Sequence, residues 1–245
     1  MGPLWNFENP PPGRLCTVQL NASPRGFKRL WDQILIYFSS TADAMMKRTF
    51  DAVVSFLGLV LLSPFLLPVA ILIKLDSPGP VLFRQQRIGK GFRPFFICKF
   101  RTMLQDPCGP GRLITIGDDP RITRVGRWLR KTKIDELPQL FNVLKGEMSF
   151  VGPRPEVPKY VQVFHRDYED ILRVRPGITD LASLKYRDEA YLLQKAENPE
   201  EEYVSHVLPD KIKLAKDYVQ RSSLFFDLGL IFKTMFKLFD YKVSS

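Results

Sequence analysis

Two adjacent carboxylates, Asp135 and Glu136, stand in a basic field, with Arg124, Arg127, Arg130, Lys131 and Lys133 just before them. Pro138 follows near the start of an apolar pattern in which Leu137, Leu140, Phe141 and Leu144 have helical spacing, and Gly146 is the expected terminator. The pair is therefore expected in the first turn of a helix, where the dipole and free N–H groups favour anions. Neighbours at i and i+1 point in different directions, so the two carboxylates can take different jobs. One could attack phosphorus while the other holds Mg²⁺, which characteristically takes one or two carboxylates plus substrate phosphates. Lys99 and Arg101, on one strand face by the period of two, and Arg154, aimed by the rigid loop Gly152-Pro153-Arg154-Pro155, are candidate clamps for phosphate oxygens. Each feature alone has a plainer reading: a helix-capping acid, a turn, a solvated strand face. Only their combination carries weight.

The elements that must position these groups can be read from periodicity and breakers. Residues 81–85 and 94–101 read as two strands joined by a turn at 87–91, a β-hairpin. Residues 105–120, rich in Gly, Pro and Asp, read as loop. Helical patterns begin at 122–129, at the acidic pair, at 160–174 and at 198–222, with a turn at Arg175-Pro176-Gly177. Residues 224–241 place Phe225, Leu228, Phe232, Met235, Phe236 and Phe239 on one broad stripe, which suits a helix lying on a membrane surface or one closing a domain.

Residues 52–73 form an apolar run with no charge and no amide side chain. At about 1.5 Å rise per residue it is long enough to cross a bilayer core. Ser63-Pro64 and Pro68 interrupt it. Proline removes a backbone donor, so a kink near Ser63 is expected, with the Ser63 hydroxyl bonding a freed carbonyl. Both flanks are basic: Lys47 and Arg48 before, Lys74, Arg84, Arg87, Lys90 and Arg93 after. An ordinary span shows asymmetry. Equal basicity points to a re-entrant segment with both ends on the cytoplasmic side, against the plainer readings of a bitopic anchor or a buried core helix. The run lies too far from Met1 for a signal peptide. Residues 1–26 read as loosely structured, and 27–38 as a short aromatic segment suited to the headgroup level.

The 245 residues allow one or two domains. A net charge of +10 and a pI near 9.6 call for nucleic acid, anionic lipid or phosphate-bearing partners. No nucleic-acid recognition motif is present, and beside an intramembrane run lipid and phosphate are the simpler partners. Cys16, Cys98 and Cys108 give no disulfide framework, and with only His165 and His206 to join them a zinc site is not expected. A reducing, cytoplasmic setting fits. The fold class expected is α+β and mostly helical: a monotopic membrane protein with a kinked re-entrant helix, a small β-hairpin and interfacial amphipathic helices. The expected division is 1–44 extension, 45–76 membrane helix and 77–245 catalytic domain.

Several long motifs occur in order: Lys47-Arg48-Thr49-Phe50-Asp51, Asp76-Ser77-Pro78-Gly79-Pro80 with Arg84-Gln85-Gln86-Arg87-Ile88-Gly89, Lys99-Phe100-Arg101-Thr102-Met103, Arg121-Ile122-Thr123-Arg124-Val125-Gly126, Asp135-Glu136-Leu137-Pro138-Gln139-Leu140 and Gly152-Pro153-Arg154-Pro155-Glu156. From residue 46 to 241 the chain resembles the bacterial sugar transferases, the monotopic phosphoglycosyl transferases. The resemblance implies transfer of a sugar-1-phosphate from a UDP-sugar to a polyprenol phosphate with release of UMP, opening the assembly of a glycan. It implies a covalent intermediate on Asp135, Mg²⁺ on Glu136, and cationic positions at Lys99, Arg101 and Arg154. Arg187 and Asp217 fall near later positions linked to the nucleotide sugar. It also implies a place at the cytoplasmic face of the bacterial inner membrane, with membrane lipid and downstream glycosyltransferases as partners. Two departures stand out. Where many members continue Gly-Leu-Trp-Gln-Val after Pro176-Gly177-Ile178-Thr179, this chain has Asp180-Leu181-Ala182-Ser183-Leu184, and residues 1–44 lie outside the compact core. The competing readings are a non-catalytic adaptor binding anionic lipid and a nucleic-acid binder.

Overall fold

The computed structural model describes the backbone of residues 24–104, 114–117, 119–186 and 189–243, and side chains within those ranges from residue 43 to 237. Residues 1–23, Cys108 and most of the expected loop 105–120 lie outside the described residues. The chain divides into a unit of residues 1–42 and a larger unit of residues 43–245. Helix α1 (Pro24–Asp76) supplies the described backbone of the first unit, and its portion from Asp43 onward belongs to the second. Helical backbone runs through Ser63, Pro64 and Pro68, so the prolines cost the ladder its donors without ending the helix. Ser63 Oγ donates to the Val60 carbonyl at 2.8 Å, the compensation expected of that hydroxyl.

Two strands follow, β1 (Leu82–Ile88) and β2 (Pro94–Phe100), antiparallel from Leu82 opposite Phe100 to Ile88 opposite Pro94. The first is longer than expected, because the reversal is a short turn at Lys90–Phe92 where Gly91 takes a φ of 63°. Phe95 and Ile97, alternate residues of β2, pack on Val143 and Met148.

Helix α2 (Arg124–Thr132) starts two residues later than the pattern suggested, because Thr123 caps it: its Oγ accepts from Gly126 N at 2.9 Å. The helix ends at Lys133, a non-glycine residue in the left-handed region at φ 60°. The acidic pair was expected inside the first turn of the next helix, and here the structure differs. Asp135 and Glu136 occupy a separate 3₁₀ turn (Ile134–Glu136), and helix α3 begins beyond it (Gln139–Lys145). Pro138 explains the split, since its ring would clash with the Ile134 carbonyl in a continuous α-helix. Asn142 of α3 fastens that helix to the hairpin, accepting from Cys98 N at 3.0 Å and donating to the Phe96 carbonyl at 2.8 Å.

Strand β3 (Ser149–Val151) leads into the Arg154 loop, and the next helical stretch is two short helices, α4 (Pro158–Val163) and α5 (His165–Ile171), rather than one. Strand β4 (Gly177–Thr179) pairs with β3 in parallel, a contact not foreseen from sequence. Helices α6 (Leu181–Lys185), α7 (Glu189–Gln194) and α8 (Pro199–Glu202) follow. A π-helical turn at Tyr203–Val207 opens helix α9 (Leu208–Arg221), and the missing donor of Pro209 falls where the ladder widens. Tyr160, Tyr168, Leu193, Tyr203 and Leu208 meet in the largest core cluster. In α10 (Leu224–Val243), Asp227 and Leu230 face inward while Phe225, Phe232 and Phe236 are exposed, so the stripe looks outward rather than closing the domain.

Both ends of the apolar helix are tied to one body. Near its start, Lys47 Nζ pairs with Asp227 at 2.5 Å and donates to Tyr218 Oη at 2.6 Å and to the Val151 carbonyl at 3.0 Å. Arg48 donates to the Val143 and Leu144 carbonyls, at the C-terminal end of α3. Near its exit, Val69 and Ile73 pack with Phe100 and Leu129, and Asp76 accepts from Val125 N at 3.1 Å. Between these moorings Phe56, Leu57, Val60, Leu61, Phe65 and Leu67 are exposed.

The Arg154 loop is held by a close approach of two glycines. A Cβ on Gly177 would sit 2.1 Å from Gly152 N, and Gly152 N already donates to the Thr179 carbonyl at 3.1 Å. Gly177→Ala is expected to cost about 3 kcal/mol by overpacking and to lower activity by displacing Arg154. Thermal melting and transfer assays on the purified variant check both; unchanged melting would show that the strands can separate freely.

Candidate active site

An open cavity of about 1860 Å³ lies between the hairpin, α2, α3 and the segment after β4. Asp135, Glu136, Lys99 and Arg154 all border it. The 3₁₀ turn brings the pair to the wall, with Asp135 only 8% exposed. Glu136 Oε1 accepts from Lys99 Nζ at 2.7 Å and from Arg154 Nη2 at 2.9 Å. Strand, acidic turn and Pro-Arg-Pro loop thus converge on one carboxylate oxygen.

The two carboxyls are driven apart in acidity. Burial, then the charge of Glu136, raises the Asp135 carboxyl above its ordinary range. Burial would raise Glu136 too, but Lys99 and Arg154, with Lys133, outweigh it and hold that group well below its ordinary range. Burial lowers the Lys99 ammonium, opposed by Glu136. Pairs separated in this way divide roles in acid–base and nucleophilic chemistry. Asp135 Oδ1 is buried and has no hydrogen-bond partner among the described residues, which leaves it available to a reacting atom or cation.

Arg101 departs from the expectation. Strand β2 ends at Phe100, so the period of two no longer applies, and the guanidinium turns to the exit of α1 instead of joining Lys99 on Glu136. Its Nη2 donates to the Ser77 carbonyl at 2.6 Å and to Ser77 Oγ at 2.9 Å. It borders the cavity while anchoring the helix end. Asp217 pairs with Arg221 at 2.9 Å one turn along α9 and does not border the cavity. Arg187 lies outside the described residues. Ser63 and Pro64 sit in the apolar helix, apart from the cavity wall.

Two positions escaped the sequence reading. Arg130, on the cavity wall, donates through Nε to Thr102 Oγ1 at 2.9 Å, and Asp135 is the main charge supporting its ionised form against burial. Its signal was its place one short turn before the acidic pair. Asn142 locks α3 to β2 and so sets Glu136 against Lys99; the signal was an amide set among Leu140, Phe141, Val143 and Leu144.

The donor set was tested against Mg²⁺. Among the described residues no group of three or more His, Cys, Asp or Glu side chains could hold a metal. Two carboxylates, one firmly ionised and one with an unpartnered oxygen, nevertheless suit a hard cation completed by substrate phosphates.

The chain is similar to known proteins over most of its length. The family model described as bacterial sugar transferase matches residues 42–241. The chain is 41% identical over 199 residues to an Aeromonas hydrophila UDP-N-acetylgalactosamine-undecaprenyl-phosphate N-acetylgalactosaminephosphotransferase, covering 78% of this chain and 43% of that protein. It is 36% identical over 209 residues to the Escherichia coli K12 UDP-glucose:undecaprenyl-phosphate glucose-1-phosphate transferase, covering 84% and 42%. With the exopolysaccharide production protein PSS of Rhizobium leguminosarum bv. phaseoli it shares 47% identity over 154 residues, 58% of this chain and 75% of that protein. The chain spans less than half the length of the first two relatives. With the motifs in order, the acidic pair on the cavity wall and a family match over most of its length, the chain belongs to the bacterial sugar transferase family.

Proposed function

We propose that the protein transfers a sugar-1-phosphate from a UDP-sugar to a polyprenol phosphate at a membrane surface. The observation that carries this reading is the division of labour in the acidic pair: Glu136 is held by Lys99 and Arg154, while its neighbour Asp135 keeps a buried oxygen unbonded. The relatives named as undecaprenyl-phosphate sugar phosphotransferases support the reaction class.

In the first step Asp135 attacks the phosphorus that bears the sugar. A carboxylate oxygen–phosphorus bond forms, the bond to the bridging oxygen breaks, and UMP leaves with that electron pair. In the second step a phosphate oxygen of the lipid attacks the same phosphorus and Asp135 is released. Arg154 and Lys99 bind phosphate oxygens and hold them against the nucleophile, and Arg130 offsets charge near Asp135. Glu136, with the substrate phosphates, would hold Mg²⁺, which supplies Lewis-acid neutralisation of phosphate charge when bound.

The moorings of α1 support a monotopic placement. Lys47 near the start of the apolar segment and Ser77 just past its end both touch the same body. A spanning helix would carry its ends to opposite sides, whereas a re-entrant one keeps the cavity at the headgroups, where the lipid phosphate lies. The cytoplasmic face of the inner membrane is the side that offers UDP-sugars, and the lipid-linked product would pass to downstream glycosyltransferases.

The test is UMP release from a panel of UDP-sugars by membrane fractions with polyprenol phosphate and Mg²⁺. Release that depends on donor and lipid is expected. A protein that binds anionic vesicles but releases no UMP from any donor would be an adaptor.

A further inference from the structure

Lys99 and Arg154 meet on one oxygen of Glu136, and behind that meeting point their two elements are joined a second time. Arg87 makes the joint. It stands on β1, four residues from Phe83, which faces Lys99 across the hairpin. Its Nη1 donates to the Pro155 carbonyl at 3.0 Å and lies 3.5 Å from Glu156 Oε2, and its Nη2 donates to Gln85 Oε1 at 2.7 Å. The next residue, Ile88, donates from its backbone N–H to the Glu156 carbonyl at 3.1 Å. Strand β1 therefore holds the two residues that follow Arg154.

Other elements hold the rest of the loop. Gly177 N donates to the Pro153 carbonyl at 3.0 Å, on the side that precedes Arg154. From the π-helical turn, Tyr203 Oη donates to Glu156 Oε1 at 2.8 Å. Both oxygens of the buried Glu156 carboxylate are thus engaged by protein groups, which makes it a fastening. Pro153 and Pro155 have φ fixed by their rings. With both neighbours locked and their carbonyls bonded, the Arg154 backbone has little room to turn. Burial opposes the charge of Arg87, and Glu156 is the main group that supports it. A charged guanidinium held against burial is an unfavourable way to stiffen a turn that two prolines already stiffen, so its position calls for a role beyond the turn.

We infer that Arg87 is a positioning residue for the transfer: through Pro155 and Glu156 it fixes the Arg154 guanidinium relative to Lys99, so that both cations reach the same donor phosphate. The inference rests on the proposed function. Arg87 acts through Arg154 rather than on the phosphorus. Small displacements matter for such a clamp, since a shift of about 1 Å can cost about 10²-fold in rate.

A double-variant cycle separates positioning from stability. UMP release is followed as a single turnover by the full chain in lipid nanodiscs, with a UDP-sugar that the unsubstituted chain turns over. The same measurement is made on Arg87→Gln, Arg154→Gln and the double variant, and melting checks that each is folded. Arg87→Gln is expected to slow release about tenfold or more in the unsubstituted background, and by no more than about twofold where Arg154 is already glutamine. If Arg87→Gln does not melt cooperatively, Arg87→Lys, which keeps a charge beside Glu156, takes its place in the cycle, with a smaller loss in the same pattern. Equal losses in both backgrounds would show that Arg87 acts independently of Arg154 and would overturn the inference. So would full activity of Arg87→Gln. If the unsubstituted chain released no UMP from any donor, the reaction itself would fall, and this role of Arg87 with it.

Discussion

Asp135→Asn is expected to reduce UMP release by about 10⁴-fold or more, on the scale of nucleophile removal in covalent enzymes, and at the same time to make the protein more stable. The second half follows from the direction of its acidity. Burial raises the Asp135 carboxyl in the folded state, so at neutral pH the fold carries a charge that it would rather not hold. A folded-state pKa above the unfolded one means that stability falls as pH rises through that interval. Asparagine removes the penalty, a gain of about 1 kcal/mol at neutral pH that should shrink as pH falls through the raised value and vanish below the unfolded one, where the carboxyl is uncharged in both states. Mass spectrometry of unsubstituted enzyme with donor should find a phospho-sugar adduct on Asp135, absent from the variant. Normal transfer by Asp135→Asn would end the covalent mechanism. The same shift places the acid limb of activity above the ordinary carboxylate range, because the nucleophile must be ionised.

Much of this site was legible because its parts are local. A proline-locked loop presents Arg154 wherever the loop goes, and an acidic pair beside Pro138 marks a turn whatever follows. The errors arise at element ends. Arg101 would have faced Glu136 had β2 run one residue further, but the strand stops at Phe100 and the guanidinium finds the Ser77 carbonyl instead. The pairing of β3 with β4 was not legible, since three-residue strands leave no periodicity and their contact depends on Gly152 and Gly177 meeting across the fold. Asp217 was placed near the donor by motif distance alone, and a local partner, Arg221, claims it. For the apolar helix, composition gave the length and the basic flanks. Its moorings, Lys47 on Asp227 and Arg101 on Ser77, are long-range contacts that only the folded chain reveals.

Glu136→Gln should be damaging in a different way, losing activity and stability together. Lys99 and Glu136 side chains are 19% and 13% exposed, so removing the anion strands a largely buried ammonium. Breaking such a pair from one side costs about 3 kcal/mol, or about 6–12 °C of melting temperature for a chain of this size. Most of that falls on Lys99, because Arg154, at 37% side-chain exposure, can turn to water. The Glu136 carboxyl sits well below the ordinary glutamate range, so its contribution is fully present above that range and is lost as pH falls through the depressed value. The melting difference should therefore persist at pH values where an ordinary glutamate has begun to protonate. The double variant Lys99→Met/Glu136→Gln separates the two roles. Replacing both partners removes the stranded charge and should recover most of the melting temperature, while UMP release stays lost because neither the phosphate clamp nor the ionised oxygen is restored. Recovery of activity along with stability would mean that Glu136 matters to this fold only as the counter-ion of Lys99.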